Sequence, residues 1–213
     1  MSAEDRIENA KVHYERSIFG GDASGLPIAE RELDGVEADL ALARGRILHA
    51  RFFEKHEKDP RELALFERAA ELYRALGDLR SEGEARFWIG TYHQVVERDN
   101  DAGISFFEAA EDLASRAGDL LTRSYALRHL AYVSHMAGRL DAARERMEES
   151  TELRRKLGFL PGVAANLVGL AYIAAAQGDR VEALAFLDEA QSTAEGSGAH
   201  GIMRQVEEAR AEI

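Results

Sequence analysis

The sequence predicts an all-α fold, a right-handed α-solenoid of about four helix-turn-helix repeats with a capping helix at each end. Three observations carry this. Small residues recur at Ala50, Gly90, Ala131 and Ala171, with separations of 40, 41 and 40. Glycines recur in step with them at Gly77, Gly118, Gly158 and Gly198, separated by 41, 40 and 40. Between these markers apolar residues follow the 3.6-residue period, and no two-residue alternation of the β type competes with it. A unit of two helices cannot bury its own apolar face, so such units stack into an array.

Residues 4 to 19 form the first expected helix, with Ile7, Tyr14 and Ile18 on one side, followed by the loop Gly20-Gly21-Asp22-Ala23-Ser24-Gly25. Residues 1–27 are therefore read as an N-terminal cap and loop, with a partner-binding or swapping arm as the alternative reading. The array proper spans 28–198. Its first unit contains Asp59-Pro60-Arg61-Glu62, a cap residue, a first-turn proline and an early acid in helix-start order. Gly77-Asp78 and Gly118-Asp119 join a left-handed C-cap to the next start. Ser81 with Glu84 and Asp179 with Glu182 match the capping-box pattern. In the third unit Leu127, Leu130, Ala131 and Ser134 make one stripe, and Leu140, Ala143, Met147, Ser150 and Leu153 the next. The fourth repeats this with Leu167, Leu170, Ala171 and Ala174, then Ala183, Leu187 and Ala190. Residues 199–213 form a C-terminal capping helix with Ile202, Val206, Ala209 and Ile213 on its apolar side. The whole chain is one domain.

Composition narrows the function. With 46% hydrophobic and 31% charged residues the chain is neither disordered nor membrane-embedded. The net charge of −12 repels nucleic-acid backbones, so nucleic acid is not an expected partner. No apolar run approaches a membrane span, and the acidic start Ser2-Ala3-Glu4-Asp5 does not read as a signal peptide. The 213 residues include no cysteine, which rules out disulfides, thiolate metal sites and a cysteine nucleophile. The expected location is the cytoplasm, and the arginine-rich, lysine-poor usage fits a GC-rich bacterial genome.

The stripes resemble the tetratricopeptide repeat. Its first-helix pattern appears as Leu127-x-x-Leu130-Ala131 and Leu167-x-x-Leu170-Ala171. Its second-helix pattern appears as Gly103-x-x-x-Phe107-x-x-Ala110, Ala143-x-x-x-Met147-x-x-Ser150 and Ala183-x-x-x-Leu187-x-x-Ala190. The period of about 40 matches the longer variety of the repeat. The first unit departs from the pattern, with Glu62 at the small position and Arg46 at the first apolar one. The resemblance implies a concave wall built from first-helix positions at fixed offsets from the small residue. Counted from Ala50 these are Arg44, Ile47, Arg51, Glu54 and Lys55, and from Gly90 they are Glu84, Phe87, Thr91, Gln94 and Val95. From Ala131 they are Tyr125, Arg128, Tyr132, His135 and Met136, and from Ala171 Ala165, Val168, Tyr172, Ala175 and Ala176. Arginines that fork a carboxylate and tyrosines that supply rigid area suit a protein or peptide partner carrying an acid and apolar anchors. The bland alternative has Tyr132 and Tyr172 packing on neighbouring helices and the arginines pairing with Glu54 and Glu84.

Catalytic motifs are missing: no GxxxxGK[ST], GxSxG or HExxH occurs. The seven histidines never adopt helical metal-pair spacing. No catalytic residue, cofactor or metal is expected. The expected function is a binding adaptor, with a self-associating homodimer as the second reading and a small-molecule carrier or enzyme as the third.

Overall fold

The structure, a computed structural model, describes residues 2–213. Among them are ten α-helices and no strand. They are α1 (Ala3–Gly20), α2 (Leu26–Lys55), α3 (Arg61–Leu76), α4 (Leu79–Thr91), α5 (Asn100–Ala117), α6 (Leu120–Met136), α7 (Leu140–Lys156), α8 (Leu160–Ala176), α9 (Arg180–Ser197) and α10 (His200–Glu212). A π-helical segment, Tyr92–Val96, extends α4. Each helix packs on the next, and α4 also touches α6, α6 touches α8, and α8 touches α10. The first helices of the units thus form one continuous wall, with α3, α5, α7 and α9 behind it.

Local chemistry sets the boundaries. The four recurring glycines close α3, α5, α7 and α9 with φ between 67° and 76°, a conformation in which a β-carbon is strained. Inside the units the turn residues also take positive φ, at His56, Arg98, Gly138 and Gly178. Aspartates start the following helices. Asp78 Oδ1 accepts from the Ser81 amide at 3.1 Å, Asp99 from Ala102 at 2.9 Å and Asp179 from Glu182 at 2.9 Å. Asp78 is therefore the cap of α4, and Ser81 lies inside the helix instead of opening it as its spacing to Glu84 suggests.

Close helix crossing follows from the small residues. A β-carbon at Gly103 would stand 3.1 Å from the Gly90 carbonyl oxygen, so α4 and α5 approach through paired glycines. Ala131 with Ala143 and Ala171 with Ala183 are fully buried at the matching places of the next two units. In the first unit Ala50 is exposed, and His49, not Ala50, is the buried residue 41 positions before Gly90. The register assigned from Ala50 is therefore one residue late. Opposite His49 stands Glu62, fully buried, its Oε1 2.7 Å from His49 Nδ1. The imidazole fills the space that a glycine leaves open elsewhere, and the Phe66 ring settles against Gly45, one turn earlier.

The two ends differ. At the C-terminus α10 lies on α8 and α9, burying Val206 and Ala209 completely, with Ile202 and Ile213 packed on the same cluster. At the N-terminus α1 buries none of its residues and leaves Ile7, Tyr14 and Ile18 more than half exposed. No helix among the described residues is long and apolar enough to cross a membrane.

Candidate binding groove

The wall formed by α4, α6, α8 and α10 encloses a cavity of about 610 Å³. Its apolar lining comes from Val95, Met136, Met147, Val168 and Ile173, and its polar lining from Gln94, Arg128, His129, Tyr132, His135, Tyr172 and Gln205. Glu208 is its one acid among the described residues. The site is amphipathic and partly open.

Arg128 carries the charge of this site. Its Nη1 donates to the Ala165 carbonyl at 2.8 Å and to Asn166 Oδ1 at 3.0 Å. The same Asn166 Oδ1 accepts from Nη1 of Arg154 at 2.8 Å, so one neutral amide oxygen serves two guanidinium groups. Arg154 is 2% exposed. It also donates to the Gly162 carbonyl at 2.8 Å and to Ser124 Oγ at 3.3 Å, and it lies 4.8 Å from the Tyr125 ring centre. Its Nη2 has no partner. Among the described residues no carboxylate pairs with either arginine. Burial lowers the Arg128 pKa below the ordinary guanidinium value, and burial plus repulsion from Arg128 takes Arg154 down to about 9. Two desolvated cations with no counter-ion create a positive field at the floor of the groove.

His129 shares that field. Its Nδ1 faces Gln94 Oε1; the amide oxygen only accepts, so Nδ1 carries the proton of the neutral ring. Burial first, then Arg128 and Arg154, push its pKa down to about 3. Since the folded pKa lies below the ordinary 6.5, the unfolded chain takes up the proton first as pH falls. The stability contributed by neutral His129 is present above pH 6.5 and drains away toward pH 3. Between pH 7 and pH 4.5 the loss should be about 2 kcal/mol. Urea titrations at the two pH values should show that loss in the wild type, and His129→Gln should lack it. An equal loss in both would remove His129 as the cause.

Eight of the wall residues expected from sequence come together here: Gln94, Val95, Arg128, Tyr132, His135, Met136, Val168 and Tyr172. Tyr132 is 46% exposed and free to meet a ligand. The Tyr172 hydroxyl donates to Glu212 at 2.8 Å; burial first, then this bond, raises its pKa to about 12. Three others belong to the interior behind the wall. Phe87 is buried, Thr91 is buried with its hydroxyl on the Phe87 carbonyl, and Tyr125 stacks on Phe87 at 5.3 Å. The first-unit set stands apart, as the register shift requires: Arg44, Ile47 and Arg51 line a separate hollow with Pro60, Arg61, Ala64 and Leu65, and Lys55 ends α2 in solvent. Arg46, one residue before Ile47, is the inward one, over the Trp88 ring and paired with Glu84.

No protein-family model matches the chain, and no curated protein matches it in sequence. Solved structures do match. A Podosopora anserina putative kinesin light chain with nearly identical TPR-like repeats aligns with a TM-score of 0.53. The match covers 83% of this chain and 94% of that one at 15% identity. The chain folds as a TPR-like repeat protein. A variant of the same repeats aligns equally well over 92% of its length. BtubC (BKLC) from P. vanneervenii aligns with a TM-score of 0.47 at 14% identity, over 92% of this chain and 91% of that one. Besides His129, Met147, Gly169 and Ile173, the sequence reading of this TPR-like solenoid lacks the α10 contributions, Gln205 and Glu208. These two were accessible: Ala211 stands forty residues after Ala171, and Gln205 and Glu208 are the positions six and three before it.

Proposed function

We propose that this TPR-like chain is a non-enzymatic, cytoplasmic interaction module that holds a protein segment in the C-terminal half of its groove, between α4 and α10. The segment carries an acidic residue that meets Arg128 and apolar side chains that fill the space beside Met136, Val168 and Ile173. The observation that carries this reading is the uncompensated Arg128–Arg154 pair beneath an amphipathic cavity. A carboxylate arriving there exchanges water for a charge-assisted, desolvated contact, and charged hydrogen bonds of this kind contribute about 1.5–3 kcal/mol. Tyr132 and Tyr172 add area at low entropic cost.

The test is selection from a random peptide library against the wild-type chain and against Arg128→Met/Tyr132→Ala, with circular dichroism confirming the fold of both. Peptides selected by the wild type should share an Asp or Glu beside aliphatic residues, and the double variant should bind them at least tenfold more weakly, about 1.4 kcal/mol. Selected peptides without an acid, or equal binding by the variant, would sink the proposal.

A further inference from the structure

We infer that the N-terminal end of the solenoid is a self-recognition surface, on which two copies of the chain pair through α2 running antiparallel about a two-fold axis. Apolar exposure gathers at this end. On the 30-residue helix α2, Leu26, Leu33, Leu40 and Ile47 follow one another at intervals of seven and are 40%, 39%, 49% and 56% exposed. Val36, Ala43 and Ala50 stand three residues after the last three of them. This is the a and d pattern of a helix seam; its first d position, Ala29, is buried, and the seam lies open at Leu33, Leu40, Ala43, Ile47 and Ala50.

The neighbouring α1 extends the seam without closing it. It lies antiparallel to the first half of α2, with His13 beside Gly25 and Arg6 beside Gly35, so α1 does not run along the second half of α2, whose opposite face packs on α3. Its partly buried residues are the small or polar set Arg6, Asn9, Ala10, His13 and Ser17. Ile7, Tyr14 and Ile18 lie about 100° around the helix from that set, at 100° per residue. Because α1 is antiparallel to α2, this rotation puts them on the same side of the hairpin as the leucine stripe.

Charge selects the occupant. Four residues after each member of the stripe stand Glu30, Glu37, Arg44 and Arg51. The order acid, acid, base, base reverses into its own complement. An antiparallel copy sets Glu30 against Arg51 and Glu37 against Arg44 of the second chain, twice over by symmetry, whereas a parallel copy sets like charges side by side. Among the described residues Arg44 and Arg51 make no ion pair, although Arg51 attracts Asp59 at longer range, and Glu37 shares one carboxylate oxygen with Arg68 at 2.7 Å. Shape agrees with charge. The two-fold axis carries each α1 to the second half of the other α2, beyond the reach of that chain's own α1, where Arg44, Ile47, Leu48, Arg51, Arg61 and Ala64 outline a hollow of about 700 Å³ between α2 and α3.

Sedimentation velocity from 1 to 100 µM tests the pairing. The wild type should sediment as a dimer at the upper concentrations, and Leu33→Glu/Leu40→Glu as a monomer with unchanged helicity. Glu30→Arg/Glu37→Arg alone and Arg44→Glu/Arg51→Glu alone should each raise the dimer Kd at least tenfold. Mixed together, the two charge variants should recover a heterodimer. A monomeric wild type at 100 µM, charge variants that dimerise as the wild type does, or a mixture that stays monomeric would each overturn the inference. These variants leave the groove untouched, so selected peptides should bind them as they bind the wild type.

Discussion

Replacing His49 with alanine should destabilise the protein by about 3–5 kcal/mol, while replacing both His49 and Glu62 should cost less than replacing either one alone. Glu62 is fully buried and its Oε2 has no partner, so the 2.7 Å contact with His49 is all that compensates its carboxyl group. Removing the imidazole strands that group in the interior. It also removes edge contacts to Phe53 at 5.2 Å and Trp88 at 5.4 Å. Removing both partners instead leaves two alanines facing each other, the arrangement that Ala131 and Ala143 adopt in the third unit. The helices can then close on one another, and the remaining cost is that of imperfect collapse around the vacated volume. Urea denaturation of the four proteins of this double-mutant cycle measures the coupling directly. Additive losses would show that His49 and Glu62 contribute independently, and would remove the buried pair as the reason for the irregular first unit.

That irregularity also marks how far the sequence could be read. Units three and four were legible because their crossings use alanines, and a template of small and large residues finds them. In the first unit the same template passes over a histidine and settles on Ala50. A buried acid at the small position was the available sign that the opposite residue had to be polar. Gly138 and Gly178 announce their turns, but Arg98 and His56 adopt the same left-handed conformation because the repeat geometry imposes it on residues that resist it. The π-helical turn after Thr91, which the hydrogen bond from the Glu97 amide to the Tyr92 carbonyl at 3.1 Å closes, has no sequence signature at all. In the groove, the arginine of Arg128-x-x-x-Tyr132 was visible as a surface candidate. Its electrostatic character was not, because that depends on Arg154: spacing puts it on the buried stripe of α7, seven residues after Met147, but nothing in the sequence shows that it meets Arg128 there without a counter-ion.

Arg154 should prove costly to delete and easy to improve upon. Arg154→Ala removes a long buried side chain, takes from the Gly162 carbonyl the donor it has beside its helical partner, and takes one of two donors from Asn166. A cavity term and the lost buried hydrogen bonds together should cost about 3 kcal/mol. Yet the native arrangement is electrostatically incomplete, since both arginines converge on a neutral oxygen. Asn166→Asp keeps the shape of that side chain and puts a carboxylate 2.8 Å from Arg154 and 3.0 Å from Arg128. It sacrifices the amide donor to Ser150 Oγ at 2.8 Å, a loss of about 1 kcal/mol, against a charge-assisted gain about twice as large. The variant should therefore unfold at a higher urea concentration than the wild type. It should also bind acidic peptides more weakly, because the internal carboxylate occupies the field that a ligand would meet. Greater stability paired with weaker binding is what a site kept short of its counter-ion for the sake of a partner must show. Asn166→Asp that lost stability, or that gained it with peptide affinity intact, would mean that the two arginines serve the fold alone.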